Sequence, residues 1–243
     1  MKSKILSLVV LVLLIGYVAV AMVAFCNRPE DQLCYGVQLE MRDSLEVGYM
    51  TTADVVALLK NSNLDPAGKP LDEVNLRTIE EALEQSPLIR NSECYKTMSG
   101  HVVVKIECRR PILRIMANGG ESYYLDEDGE VIDYIAKAVY LPVVTGYVTR
   151  EFAQRELLEL AQYLLKNDLW NAQVSQICVT SRGEIELIPR VGNHVIVFGR
   201  PGDYEDKFEK LQTFYEKGLG EVGWERYSRI NVDYDGQIVA TKK

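Results

Sequence analysis

His101 and His194 are the two imidazoles the chain could use as general bases, and neither sits in a serine- or cysteine-nucleophile motif. His101 falls at a strand turn and His194 beside Gly192-Asn193, so each reads as a solvated turn residue. Asp126 and Asp128 with Gly129 resemble the start of a calcium loop, but Ile135 stands where that loop needs its bidentate acid. Gly199-Arg200-Pro201-Gly202 ahead of a helix could cradle an anion, yet it lacks the Lys-Ser/Thr of a phosphate loop and reads better as a turn. The five cysteines, Cys26, Cys34, Cys94, Cys108 and Cys178, follow no zinc or haem spacing. The sequence therefore predicts no catalytic residue, no cofactor and no metal ligand. Its 14 tyrosines, with Trp170 and Trp224, suit an interface, although most such residues serve as core or ordinary surface. This inventory fits a binding protein better than an enzyme.

The element expected to position everything else is Ile5 to Phe25, an uncharged run long enough for one transmembrane helix. Lys2 and Lys4 precede it, which predicts a cytoplasmic tail over residues 1–4, a span over 5–25 and a translocated remainder. Ala19-Val20-Ala21 could instead be a signal-peptidase site, but the run stays apolar to Phe25. Cys26 invites lipid attachment, which bulky Phe25 opposes. Setting aside Lys2 and Lys4 leaves 25 basic against 35 acidic side chains, a net of −10. A body so acidic has no electrostatic footprint for nucleic acid or anionic lipid heads. Export permits disulfides without requiring them. Cys94 and Cys108 lie on two strands joined near Ser99-Gly100, and a two- or three-residue turn there sets Cys94 opposite Lys105 or Ile106. Both therefore read as small core residues.

A polar segment from Arg28 to Leu33 leads to a strand over 35–42, where Val37, Leu39 and Met41 alternate with polar residues. Thr51 and Asp54 form a capping box for a helix carrying Val55, Leu58 and Leu59. A second helix buries Leu76, Ile79 and Leu83 and stops before Pro87. Two strands come next, Ile89–Met98 and Val102–Arg109. Beyond Pro111 are short strands, a helix from Thr149 to about Lys166 with a stripe of Leu157, Leu158, Ala161, Leu164 and Leu165, three more strands, and a helix capped by Asp203 and ended by Gly218. The chain closes on Ile230, Val232 and Tyr234, the turn Asp235-Gly236, and a final strand.

The β-α-α-β-β order, with Ser86-Pro87-Leu88-Ile89 opening its second strand and Glu107-Cys108-Arg109-Arg110-Pro111 closing its third, resembles a POTRA domain. In its setting the chain resembles the bacterial FtsQ (DivIB) cell-division family. Tyr123 to Ile132 and Leu141 to Gly146 are similar to the stretch that opens that family's β domain, and Phe198-Gly199-Arg200, Lys207-Phe208, Leu211 and Phe214 extend the similarity. The expected fold is α+β: a single N-terminal transmembrane helix, a POTRA domain over 34–110, and a mixed α/β domain with a mainly antiparallel sheet over 111–243. The resemblance implies a single-pass scaffold of the inner membrane at the division septum, its N-terminus inside and its body periplasmic. It implies coiled-coil partners of the FtsB/DivIC and FtsL kinds, and further division proteins at the POTRA domain. A terminal strand at a sheet margin would pair with such a partner, through Val232, Tyr234, Gly236, Gln237, Ile238 and Val239. The alternatives are a POTRA-bearing envelope chaperone or transport component, and an anchored envelope enzyme.

Overall fold

The computed structural model describes residues 2–26, 32–42, 50–135, 139–220 and 223–243, with side chains in the first segment from Val10 to Met22. The N-terminal run is helical, α1 (Lys2–Cys26). The expected membrane span is nevertheless overturned, because among the described residues no helix is long and apolar enough to cross a membrane. The single-pass, inner-membrane placement and its inside-outside orientation fall with it. The side chain of Cys26 and the segment 27–31 lie outside the described residues.

The chain divides into two compact units. Most of the first, beyond α1, is β1 (Gly36–Met41), α2 (Thr52–Asn61), α3 (Leu76–Leu83), β2 (Ile89–Lys96) and β3 (His101–Cys108), with sheet order β1-β3-β2. Thr51 and Asp54 cap α2 reciprocally: Asp54 N–H donates to Thr51 Oγ1 at 3.3 Å and Thr51 N–H to the Asp54 carboxylate at 2.8 Å. The hydrogen bond from the Thr51 hydroxyl holds that carboxyl below its ordinary range. Val55 and Leu59 on α2, and Ile79 and Leu83 on α3, recur at i and i+4 and are buried with Val102 and Val104 of β3. Cys34 and Cys108 are buried, while Cys94 is half-buried and so only partly the core residue expected.

The second unit is built on a nine-stranded mixed sheet. Its strands are β4 (Pro111–Ala117), β5 (Ser122–Asp126), β6 (Val131–Ile132), β7 (Val143–Gly146), β8 (Val174–Val179), β9 (Ile185–Pro189), β10 (Val195–Gly199), β11 (Tyr227–Asn231) and β12 (Val239–Lys242), in the order β12-β11-β10-β9-β8-β7-β4-β5-β6. The pairs β4–β7, β7–β8 and β10–β11 are parallel and the others antiparallel. A parallel neighbour needs a long crossover. Between β7 and β8 it is α4 (Arg150–Phe152), a π-helical turn (Ala153–Leu157), α5 (Leu158–Lys166) and α6 (Asp168–Gln173). Between β10 and β11 it is α7 (Tyr204–Phe214) and a second π-helical turn (Tyr215–Leu219).

Leu157, Leu160, Ala161 and Leu164 are fully buried, with Leu158 and Leu165 at the margin of the same core, so Leu160 joins the stripe at ordinary helical spacing. α6 is an element the periodicity does not announce; its signals are Asn167, whose side chain caps Trp170 N–H at 3.2 Å, and Trp170 itself. Trp170 packs on Phe208 at 4.8 Å between ring centroids, and Phe208 in turn on Phe198 at 5.0 Å and Tyr163 at 5.1 Å, which joins α5, α6, α7 and the sheet.

At the end of β7, Gly146 has φ +100, and a Cβ there would overlap the Val179 carbonyl. Close backbone approach and positive φ both exclude a side chain. Gly146→Ala is expected to cost about 3 kcal/mol of unfolding free energy, read as a lowered midpoint in urea denaturation.

Candidate partner-binding edge

β12 is the edge strand of the nine-stranded sheet, paired antiparallel with β11 so that Ala240 faces Ile230, Val239 faces Asn231 and Thr241 faces Arg229. Lys243 N–H donates to Arg226 O at 3.1 Å, and the Ser228 hydroxyl donates to Thr241 O at 3.3 Å. Those bonds fix the pleat: Thr241 and Lys243 turn their polar backbone groups toward β11. By strand alternation Ala240 and Lys242 turn theirs outward. The outer margin of the sheet thus turns a row of donors and acceptors away from β11.

The turn feeding β12 is held from below by α7. Lys207 is buried, its side chain 7% exposed, and its Nζ donates to Arg200 O at 2.7 Å and to Asp233 Oδ1 at 3.0 Å. The same ammonium lies 5.1 Å from the Phe198 ring centroid. Asp233 also accepts from Arg200 N–H at 3.3 Å, and it fills the space above Gly199, where a Cβ would overlap its carboxylate. The anion received by the Gly199-Arg200 turn is therefore the chain's own Asp233. One helical turn on, Lys210 donates to Tyr234 O at 2.9 Å and pairs with Asp206 at 2.9 Å. Asp203, expected to cap α7 with its side chain, occupies the N-cap position at φ 50 with no side-chain hydrogen bond. Inside α7, burial pushes the Tyr204 hydroxyl up to about 12.

Between α7 and the Gly236–Ile238 segment lies an open groove of about 550 Å³, lined by Lys210, Phe214 and Lys217 on one side and Gln237 and Ile238 on the other. Of the residues expected to bind a partner, Tyr234, Gly236, Gln237 and Val239 are exposed and Ile238 is half-buried against the core. Val232 lies wholly inside, donating its N–H to Val197 O at 3.0 Å. Ala240 and Lys242 share that edge strand with Val239, and Phe214 lines the groove with Ile238. Alternation could have singled out Ala240 and Lys242 had the edge been known; the approach of Phe214 to Ile238 has no sequence signal.

The other candidate residues lie elsewhere. His101 packs beside Tyr35 at 5.8 Å and its Nδ1 is 3.3 Å from the Ser99 hydroxyl. Asp126 is buried and accepts from Arg109 at 3.0 Å and from the N–H groups of Asp128 and Glu130, while Glu127 and Asp128 pair with Arg90. These carboxylates organise their own turn. Among the described residues no group of three or more His, Cys, Asp or Glu could hold a metal ion.

His194 corrects the expectation of a solvated turn, being 4% exposed with Nε2 2.9 Å from the Tyr215 hydroxyl. It faces Tyr215 from the second π turn, Trp224 and Glu225 from the turn before β11, and Lys243 beyond β12. Burial, with a smaller contribution from Lys243, holds its pKa below the ordinary histidine value, and burial likewise pushes the Tyr215 hydroxyl up.

A family model described as FtsQ/DivIB, C-terminal related, matches residues 110–241, and one described as a POTRA-like domain matches residues 32–107. No curated protein matches the chain.

Asp233→Ala strands a buried ammonium and is expected to cost about 2 kcal/mol. Lys207→Met should cost less, because the carboxylate it strands is 41% exposed and water can solvate it; denaturation of both variants checks the order. The His194 contribution to stability is full above about pH 6.5 and is lost below it, since the unfolded chain takes up a proton that the buried ring resists. Thermal melts at pH 7 and pH 5 should show a larger drop for the native chain than for His194→Gln.

Proposed function

Because the chain belongs to the FtsQ/DivIB family of cell-division proteins, we propose that it serves division as a binding scaffold, offering β12 to an extended segment of a partner. Residues 34–110 form its POTRA domain and 111–243 its FtsQ-type domain in this reading. The observation that carries it is the edge position of β12, with the backbone groups of Ala240 and Lys242 turned outward beside an open groove. A strand laid along β12 would gain main-chain hydrogen bonds, and its alternate side chains would reach the groove, where Phe214 and Ile238 give apolar surface and Lys210 and Lys217 alternate with Asp206 and Glu209 in a charged rim. Tyr234 and Val239, about half exposed at 52% and 47%, would flank it. The family suggests coiled-coil partners of the FtsB/DivIC and FtsL kinds for this edge, and other division proteins for the POTRA domain. The function is performed by contact, with no bond made or broken.

Proline at an edge position whose N–H points outward removes a donor from the partner and none from the ladder. Ala240→Pro is therefore expected to reduce co-purification of a co-expressed FtsB/DivIC-like partner roughly tenfold, the effect of about 1.4 kcal/mol, with an unchanged melting temperature. Thr241→Pro, which removes an inward donor, should lower the melting temperature. Undiminished capture by a folded Ala240→Pro protein would overturn strand pairing at β12.

A further inference from the structure

The first unit has an edge of its own, and there the structure shows the opposite treatment. β2 is one of the two outer strands of the order β1-β3-β2. Thr97 N–H, just past the end of β2, donates to His101 O at 2.9 Å across the hairpin. Alternation back along β2 then turns the N–H groups of Ser92, Cys94 and Lys96 outward. The outward N–H of Cys94 donates to Glu80 Oε1 at 2.6 Å, the Ser92 hydroxyl donates to Glu80 O at 3.2 Å, and Lys96 Nζ donates to Asp72 O at 3.3 Å. Glu80 sits on α3 between Ile79 and Leu83, which are 2% and 0% exposed, so its carboxylate is held over the strand by a helix fixed in the core.

We infer that Glu80 is an edge guard: it occupies the donor at the centre of β2 and so prevents that strand from pairing with β2 of a second copy of this chain. The second copy is the fitting occupant because β2 is compatible with itself. Antiparallel pairing centred on Cys94 sets Glu93 opposite Tyr95, Ser92 opposite Lys96 and Arg90 opposite Met98, with no like charges facing. The neighbouring register, centred on Glu93, would set two carboxylates against each other. Strand pairing at β2 requires the Cys94 N–H, and the carboxylate must leave before a backbone carbonyl can take its place.

The test compares sedimentation of the full chain with that of three variants at equal concentrations. Glu80→Ala, which keeps a strong helix former at that position, is expected to strengthen self-association about tenfold. Glu80→Gln retains an acceptor oxygen and should sediment like the parent. Adding Cys94→Pro to Glu80→Ala removes the outward donor and should restore the parent's behaviour. The inference is overturned if Glu80→Ala does not change association, if Glu80→Gln associates as strongly as Glu80→Ala, or if the gain survives Cys94→Pro, since a gain independent of that N–H comes from loosened packing elsewhere.

Discussion

A buried ammonium holds the C-terminal end of this protein in place. Lys207 gives up its hydration to lie under the strand ends, where the Arg200 carbonyl, the Asp233 carboxylate and the face of Phe198 replace the lost water. Removing a charge from water is costly, so the site tolerates little displacement of its acceptors. Asp233 cannot drift because Lys207 and the Arg200 N–H hold it over Gly199, and the path of residues 234–238 is set by where Asp233 is fixed.

The two π turns act on the same region from the helix side. Each inserts one extra residue into a helical turn and rotates the next face of the helix. After the first, Leu160, Ala161 and Leu164 keep ordinary helical spacing from Leu157 and are buried with it. The second begins at Tyr215, which lies at ordinary helical spacing from buried Phe208 and Leu211 and points inward against His194, Trp170 and Trp224. Phe214, the last residue before that turn, stays near the surface, 5.7 Å from Tyr227 of β11 between ring centroids. Adjacent helical residues point about 100° apart, which is why Phe214 and Tyr215 meet such different surroundings.

Two sheet edges, β2 and β12, are finished differently, and the difference is chemical. On β2 a carboxylate from α3 takes the outward N–H of Cys94, so the donor is satisfied within the chain. On β12 the neighbouring helix lends its lysines to the turn carbonyl and to the groove, and the outward groups of Ala240 and Lys242 face the margin. An edge strand that a sheet leaves unguarded invites pairing.

Much of the local structure was legible in the residues. The Thr51–Asp54 box, the i, i+4 pairs Val55/Leu59 and Ile79/Leu83, and the alternation of β1 depend on neighbours within one or two turns, so the sequence by itself determined those elements and the resemblance they carry. Its apolar start was legible as a helix, though the membrane span expected from it does not hold among the described residues. Tertiary structure alone decided that β12 lies at the edge, that Val232 points inward while Tyr234 does not, that Lys207 is buried and that His194 is dry. The physical reason is range. Periodicity and caps are set by adjacent residues, whereas strand order and the burial of a charge depend on groups that meet across long loops, as Lys207 meets Asp233 and His194 meets Tyr215.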